Sequence, residues 1–212
     1  MILSILMEEE NKELKELDEY PEQIKSRRKE AVAFIWETIK IAIISLAIII
    51  PVRYYLIQPF IVRGASMEET FHEGDYILID EISYRFNEPK RGEVVVFRLA
   101  GGNSKFFIKR IIGLPGETVE ISGGKITIFN EENPSGFVID EQDYLEAGEH
   151  TVGNVRTELE YDEYFVLGDN RAQSSDSRSW GPVHEDLITG RVVFRAYPFD
   201  VLGRVKPIEY QF

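Results

Sequence analysis

The sequence predicts a mainly β fold, an antiparallel β-sheet domain with a small insertion, preceded by one N-terminal transmembrane α-helix. One uncharged apolar run occupies residues 41–52. Beyond Ile57, short runs rich in Val, Ile, Phe and Tyr recur between turn residues, and no helical periodicity of comparable length appears. The 212 residues include no cysteine, which excludes a disulfide framework and thiol catalysis.

The predicted membrane helix occupies residues 31–57. Only Glu37, Lys40 and Arg53 interrupt its apolar character, and charged side chains near helix ends can extend to the membrane surface. A cleaved signal peptide fits less well, because residues 48–51 offer no small-residue cleavage site. A buried core helix stays open as an alternative.

The charge around this run predicts its orientation. Four basic residues lie from Lys25 to Lys29, directly before the run, whereas only Arg53 and Arg63 follow closely. By the positive-inside rule, the N-terminal segment, residues 1–30, then lies in the cytoplasm and the remainder lies outside. We therefore expect a single-pass protein of the cell membrane, with the lipid bilayer as one partner.

Residues 58–212 form the predicted extracytoplasmic domain. Gly123 and Gly124 separate two strand-like runs and predict a hairpin. The stretch 130–153 is acidic and poor in strand formers, so we expect a small, mobile insertion within about 118–163. The predicted strands lie at residues 59–62, 76–80, 93–97, 105–112, 118–121, 125–129, 164–167 and 187–194.

The charge of the chain excludes some partners. After residue 40 it carries 17 Lys or Arg against 27 Asp or Glu. A surface this acidic does not bind nucleic acid by neutralising phosphates. The three histidines follow no metal-ligand spacing, so we expect neither a metal nor another cofactor.

Three segments carry the reactive side chains. In residues 168–182, GDNRAQSSDSRSWGP, paired Arg and Asp residues can lock a polar loop into a rigid shape. Ser66 follows the strand-like run 59–62, and Lys109 lies within the apolar run 106–112. Burial lowers the pKa of a lysine, and a neutral amine beside a serine hydroxyl forms a nucleophile with its base.

These segments resemble bacterial type I signal peptidase, a membrane-bound endopeptidase that removes signal peptides from exported proteins. The resemblance covers nearly everything from residue 59 to the C-terminus. It implies a Ser-Lys dyad that cuts preproteins after small residues, as in Ala-x-Ala ends. Four blocks in the family's order carry it: GASMEETF at 64–71, RGEVVVF at 91–97, IKRIIGLPGE at 108–117 and GDNRAQSSDSR at 168–178.

The resemblance implies a role for each matched residue. Ser66 is the expected nucleophile, Lys109 the general base and Ser174 the hydroxyl that orients the lysine amine. Ser66 and Gly64 are the expected oxyanion residues. The expected supporting network is Asp169, Arg171, Asp176, Arg178 and Arg110, and the expected shallow substrate pockets are lined by Val62, Met67, Phe71, Phe107 and Ile108.

The chain departs from the family pattern at two positions. Glu69 stands where the family usually has proline, and Glu117 replaces the commoner aspartate. We expect Glu69→Pro to stabilise the fold if the backbone φ suits proline. Two alternatives stay open: a Ser66–His184–Asp176 triad, and a membrane-anchored binding protein that keeps the fold but has lost activity.

Overall fold

The computed structural model describes residues 29–50, 57–99, 105–145 and 150–210. The chain divides into two units, residues 1–52 and 53–212. In the first unit, helix α1 (Lys29–Ile50) is apolar and long enough to cross a membrane, and none of its most apolar stretch is buried. An N-terminal apolar helix is therefore confirmed and a core helix is not supported, while residues 51–56 of the predicted span lie outside the described residues.

The second unit contains twelve described strands. They are β1 (Ile57–Ile61), β2 (Tyr76–Asp80), β3 (Val94–Arg98), β4 (Phe106–Gly113), β5 (Thr118–Ser122), β6 (Lys125–Phe129), β7 (Phe137–Val138), β8 (Val155–Glu158), β9 (Glu163–Leu167), β10 (Val183–His184), β11 (Ile188–Tyr197) and β12 (Gly203–Arg204). One short helix, α2 (Ser177–Trp180), and the 3₁₀ turns Ser83–Arg85, Glu185–Leu187 and Phe199–Val201 complete the described elements.

These strands form two antiparallel sheets. The larger has the order β1-β2-β11-β3-β4-β9-β10, with β12 paired to β11, and the smaller has the order β7-β6-β5-β8. The β5–β6 hairpin turns at Gly123 and Gly124 as predicted, with Ser122 opposite Lys125. The mainly β, antiparallel fold class is confirmed.

Burial along the strands follows their place in the sheets. In β2 and β6 the buried residues alternate with partly exposed ones, which is the period of a strand with one covered face. In β3 the first four residues are all buried, because this strand lies between β11 and β4 and is covered on both faces. The buried strand β3 pairs with β4, with Val95 opposite Lys109, and so fixes the position of Lys109 in the sheet.

The stretch predicted as a mobile insertion is packed into the domain. Ile139 and Tyr144 are buried in the apolar cluster that lies under the smaller sheet, and the Thr151 side chain is inaccessible. These three buried side chains attach the segment to the domain, and its mobility stays a prediction. Residues 146–149 lie outside the described residues.

Candidate active site

Ser66 lies in a turn directly after β1. Val62 extends the β1–β2 ladder, since its N–H donates to the Asp75 carbonyl at 2.9 Å and its own carbonyl accepts from Gly74 at 3.0 Å. The chain then leaves the sheet through Gly64, whose φ of +83° is readily adopted only by glycine. This exit places the Ser66 hydroxyl beyond the end of the strand.

Lys109 reaches Ser66 from β4. Its Nζ donates to Ser66 Oγ at 2.6 Å and to the Ile108 carbonyl at 2.9 Å, and the residue is only 3% exposed. Desolvation lowers the pKa of Lys109 from 10.5 to about 8, against the opposing attraction of Asp176 and Asp169. The predicted burial and lowered pKa of this lysine are confirmed, and the two residues are within hydrogen-bond reach.

Asp169 joins the turn, β4 and the polar loop. Its carboxylate accepts from Arg110 Nε at 2.9 Å and Nη2 at 2.6 Å, and from Thr70 Oγ1 at 2.5 Å. Both members of the Arg110–Asp169 pair are almost fully buried. Breaking such a pair leaves a buried charge unpaired, so it holds the three segments in one arrangement.

The polar loop lies directly against the backbone of Ser66. A Cβ on Gly168 would lie 2.3 Å from the Ser66 carbonyl oxygen and 2.2 Å from Ser174 Oγ, so no other residue fits at this position. The next turn adds a hydrogen bond from the Asn170 N–H to the same Ser66 carbonyl at 3.2 Å. The loop and the serine turn are therefore in contact along their main chains.

Asp176 organises the far end of this loop. It accepts from Arg178 Nε and Nη2, each at 2.8 Å, and from the Gly168 N–H at 3.2 Å. Burial alone would raise the pKa of Asp176, but the hydrogen bonds from Arg178 and Gly168 outweigh burial and hold the pKa below its ordinary value. The predicted locking of the loop by an Arg–Asp pair is thus present at Arg178 and Asp176.

Two other predicted residues, Ser174 and Arg171, do not make the contacts expected of them. Ser174 Oγ is buried and has no hydrogen-bond partner among the described residues; it lies near enough to Asp176 to help lower that pKa, but it is not bonded to Lys109. Arg171 does not pair with an aspartate of the loop. Its partner is Glu141, at 2.6 Å, outside every predicted motif.

The five residues predicted to line substrate pockets separate into two groups. Val62, Met67 and Phe71 belong to one buried cluster, against which Ile108 packs, whereas Phe107 packs on the opposite cluster. Met67 and Phe71 are 0% exposed, so they pack beneath the turn that carries Ser66. Phe107 and Ile108, on β4, keep partly exposed side chains.

The structure contradicts the triad alternative. His184 is exposed, and its Nδ1 lies 3.3 Å from the Asp162 carboxylate. Asp176 forms an ion pair with Arg178 instead of a histidine. No described group of three His, Cys, Asp or Glu side chains has the arrangement of a metal site. Among the described residues, only Lys109 places a base on Ser66.

The two departures from the family pattern have different consequences. Glu69 has a φ of +83°, a backbone conformation closed to proline, whose ring fixes φ near −65°. The expectation that Glu69→Pro stabilises the fold is therefore wrong. Glu117 is buried and accepts from Arg91 Nη2 at 2.6 Å and from the Leu114 N–H at 2.9 Å, so it secures the turn after β4.

Sequence reasoning missed several residues that hold the site. Thr70 lies inside the GASMEETF block, and its hydroxyl could have been noted as a donor close to the nucleophile. Glu141, Tyr144 and Thr151 carried no such signal, because their segment resembles a solvated acidic loop in composition. Their role depends on contacts with Arg171 that are remote in sequence.

Comparison with known proteins gives one consistent result. The family model described as signal peptidase, peptidase S26, matches residues 35–197. The chain is 33% identical over 194 residues to signal peptidase I of Leptolyngbya laminosa, covering 88% of this chain and 92% of the relative. It is 30% identical over 193 residues to signal peptidase I of Bacillus amyloliquefaciens, covering 89% and 98%.

A solved structure is also similar. It is the crystal structure of a signal peptidase I from Enterococcus faecalis V583, which is 28% identical, with a TM-score of 0.40 and coverage of 50% of this chain and 97% of that chain. The family model spans most of the described domain and the relatives align over nearly their whole length. The chain belongs to the signal peptidase family, peptidase S26, whose members are serine endopeptidases that remove signal peptides.

Proposed function

We propose that this chain removes signal peptides by a dyad in which Ser66 is the nucleophile and Lys109 is the general base. The observation that carries the proposal is the 2.6 Å contact between Lys109 Nζ and Ser66 Oγ at a buried position where the pKa of Lys109 falls to about 8. An amine with that pKa is partly neutral near neutral pH, so it can accept the serine proton.

Ser66, Lys109 and water are sufficient for every proton transfer in acylation and deacylation. Lys109 takes the Ser66 proton as Oγ bonds to the scissile carbonyl carbon. When the C–N bond breaks, the ammonium of Lys109 returns the proton to the leaving amine. Water then loses a proton to Lys109 and attacks the acyl ester, and Ser66 Oγ leaves with that proton.

The backbone at Ser66 and Gly64 supplies the oxyanion site in this proposal. Within the described part of the chain, the Ser66 N–H donates no hydrogen bond, so it is free to bind a developing negative charge. Gly64 has no heavy atom within 4 Å of the position its Cβ would take, which leaves space for a substrate carbonyl. A preorganised donor at this place lowers the barrier by several kcal/mol, on the order of 3 kcal/mol in other hydrolases.

We further propose that the substrate lies extended against β4. This strand pairs with β9 from Arg110 onward. On that side, the β4 residues that precede Arg110 pair with no strand of the described chain. Phe107 and Ile108 flank Lys109 there with partly exposed side chains. An extended peptide can add its backbone hydrogen bonds to such a free edge, and shallow pockets admit small side chains.

The membrane placement is part of the proposal. Helix α1 anchors the protein in the lipid bilayer, and the basic residues from Lys25 to Lys29 keep the N-terminus in the cytoplasm. Residues 25–28 lie outside the described residues. Protease added to intact cells is expected to degrade the catalytic domain and to spare the N-terminal segment.

One experiment tests the catalytic assignment. Detergent-solubilised protein is incubated with a preprotein, beside the variants Ser66→Ala, Lys109→Ala and His184→Ala. The first two are expected to lose cleavage and the third to retain it. Cleavage that persists in Ser66→Ala refutes the dyad, and labelling of Ser66 by a serine-reactive probe separates an enzyme from an inactive binding protein on the same fold.

A further inference from the structure

Three residues of the acidic segment, residues 130–153, bind the guanidinium of Arg171. Nη1 donates to Glu141 Oε2 at 2.9 Å and to the Thr151 hydroxyl, and Nη2 donates to the Tyr144 hydroxyl at 2.9 Å. Glu141 Oε1 lies 2.6 Å from Nη2. We call Glu141, Tyr144 and Thr151 the Arg171 socket. Nε donates to the Gly168 carbonyl at 3.0 Å, so both sides of the guanidinium are bound.

The Arg171 socket neutralises a charge that solvent cannot reach. The Arg171 side chain is 1% exposed, and a buried cation is tolerated only with a hydrogen-bonded anion beside it. Glu141 is that anion. The socket is also bonded within itself, because Glu141 accepts from the Tyr144 hydroxyl at 2.6 Å and from the Thr151 hydroxyl at 2.9 Å.

Arg171 connects the socket to the nucleophile. Gly168, whose carbonyl Arg171 binds, packs closely against Ser66 and Ser174, because a Cβ there would lie 2.3 Å from the Ser66 carbonyl oxygen and 2.2 Å from Ser174 Oγ. Arg178 adds a second connection, because it donates to the Arg171 carbonyl at 2.8 Å and to the Val152 carbonyl at 3.0 Å. A displacement of the acidic segment is therefore transmitted to the main chain beside Ser66.

We propose that Glu141 is a positioning residue for peptide cleavage: through Arg171 it holds the polar loop against Ser66 and so sets the rate of the chemical step. The inference rests on the proposed dyad, since it concerns how that dyad is held. Glu141 touches neither substrate nor reacting atoms. Its effect is expected in kcat, because the proposed substrate path along β4 does not include the socket.

A change of charge at Glu141 is expected to act on Lys109 through Arg171. The charged and titratable groups around Lys109 are Asp169 and Asp176 from the polar loop, with Arg110 following on its own strand and bound to Asp169. Arg171 interacts electrostatically with Glu141 and with Asp169. With a neutral residue at 141 the Arg171 guanidinium is less compensated, and the added positive potential disfavours the Lys109 ammonium, so we expect the pKa of Lys109 to fall.

The test uses the full chain in detergent, with preprotein as substrate. Glu141→Gln removes the charge and keeps the shape, Thr151→Val removes one hydroxyl, and Thr151→Ser restores it. Glu131→Gln, at an exposed acid after β6, is the matched control. The measurements are kcat, KM, the pH dependence of kcat/KM and the melting temperature, with active sites counted by a serine-reactive probe.

Glu141→Gln is expected to lower kcat about ten-fold per active site, to leave KM within about two-fold, and to move the rising limb of the pH profile to lower pH. Thr151→Val lowers kcat, Thr151→Ser restores it, and Glu131→Gln changes nothing. A merely structural role would lower the melting temperature without moving the pH profile.

Wild-type kcat and pH profile in Glu141→Gln overturn the proposal while leaving the dyad intact. If that variant does not fold, unchanged kcat in Thr151→Val overturns it instead. Cleavage that continues in Ser66→Ala overturns the dyad and this proposal with it. The two failures are therefore distinguishable.

Discussion

Replacing Lys109 by Met measures what the buried base does to stability. The pKa of this lysine is about 8 in the folded protein against 10.5 ordinarily, because burial disfavours the ammonium. Between those two pH values the unfolded chain binds more protons than the folded one, so the free energy of unfolding rises with pH. Below about pH 8 both states are protonated, and the full destabilisation is present.

The pKa shift of Lys109 corresponds to a difference in the free energy of unfolding. Each pKa unit is worth about 1.4 kcal/mol, so from about pH 7 to about pH 10 the wild type gains roughly 2 to 3 kcal/mol over Lys109→Met, which has no titrating group at this position. Met keeps the length and apolar stem of the side chain. Loss of the Nζ hydrogen bonds to Ser66 and Ile108 destabilises the variant by about 1 kcal/mol each, at every pH.

Urea unfolding of both proteins in detergent, followed across this pH range, measures the difference. Lys125→Met, at an exposed lysine on β6, is the control. A Lys109→Met difference from wild type that stays constant with pH would show that Lys109 is not desolvated. The reasoning behind the dyad would then lose its physical basis.

Three further predictions follow from the site. The kcat/KM of the wild type rises with pH through about 8, the pKa of Lys109, and Lys109→Arg is inactive because guanidinium holds its proton; an active arginine variant contradicts this. Gly168→Ala lowers the rate of single-turnover acylation about a hundred-fold, because its Cβ would overlap the Ser66 carbonyl oxygen. An unchanged rate would show that the loop moves to make room for the Cβ. By thermal melting, Glu69→Gly stabilises the domain by about 1 kcal/mol and Glu69→Pro destabilises it; the opposite order would contradict the positive φ.

The sequence predicted the strands whose side chains alternate or are continuously apolar. Runs at 76–80 and 125–129 coincide with β2 and β6, and the run at 105–112 is shifted from β4 by one residue. The described strands and α-helix that were not predicted are β7, β8, β10, β12 and α2, none longer than four residues. Segments that short carry too few residues to show a period, and their pairing is decided by the longer strands beside them.

The proximity of Ser66 and Lys109 was predictable because both residues are conspicuous in the sequence. A lysine in an apolar run and a serine after a strand each stand out in the sequence, and both positions are as expected. The partners of the arginines were not predictable. Asp169 was a candidate partner for Arg171 but pairs with Arg110, and Arg171 pairs with Glu141 thirty residues earlier. The sequence alone does not distinguish these carboxylates as partners of an arginine, so only the folded structure shows the pairing.

The arginines of the site do more than hold the loop rigid. Lys109 is buried close to two carboxylates, and an unpaired carboxylate at that range would raise the pKa of the lysine back toward its ordinary value. Asp169 is bound by Arg110, and Asp176 by Arg178. Desolvation outweighs the attraction of these two carboxylates, and the pKa of Lys109 is about 8. A guanidinium beside each carboxylate opposes that attraction, which lets an acidic loop lie against a lysine that must be neutral to act as the proposed base.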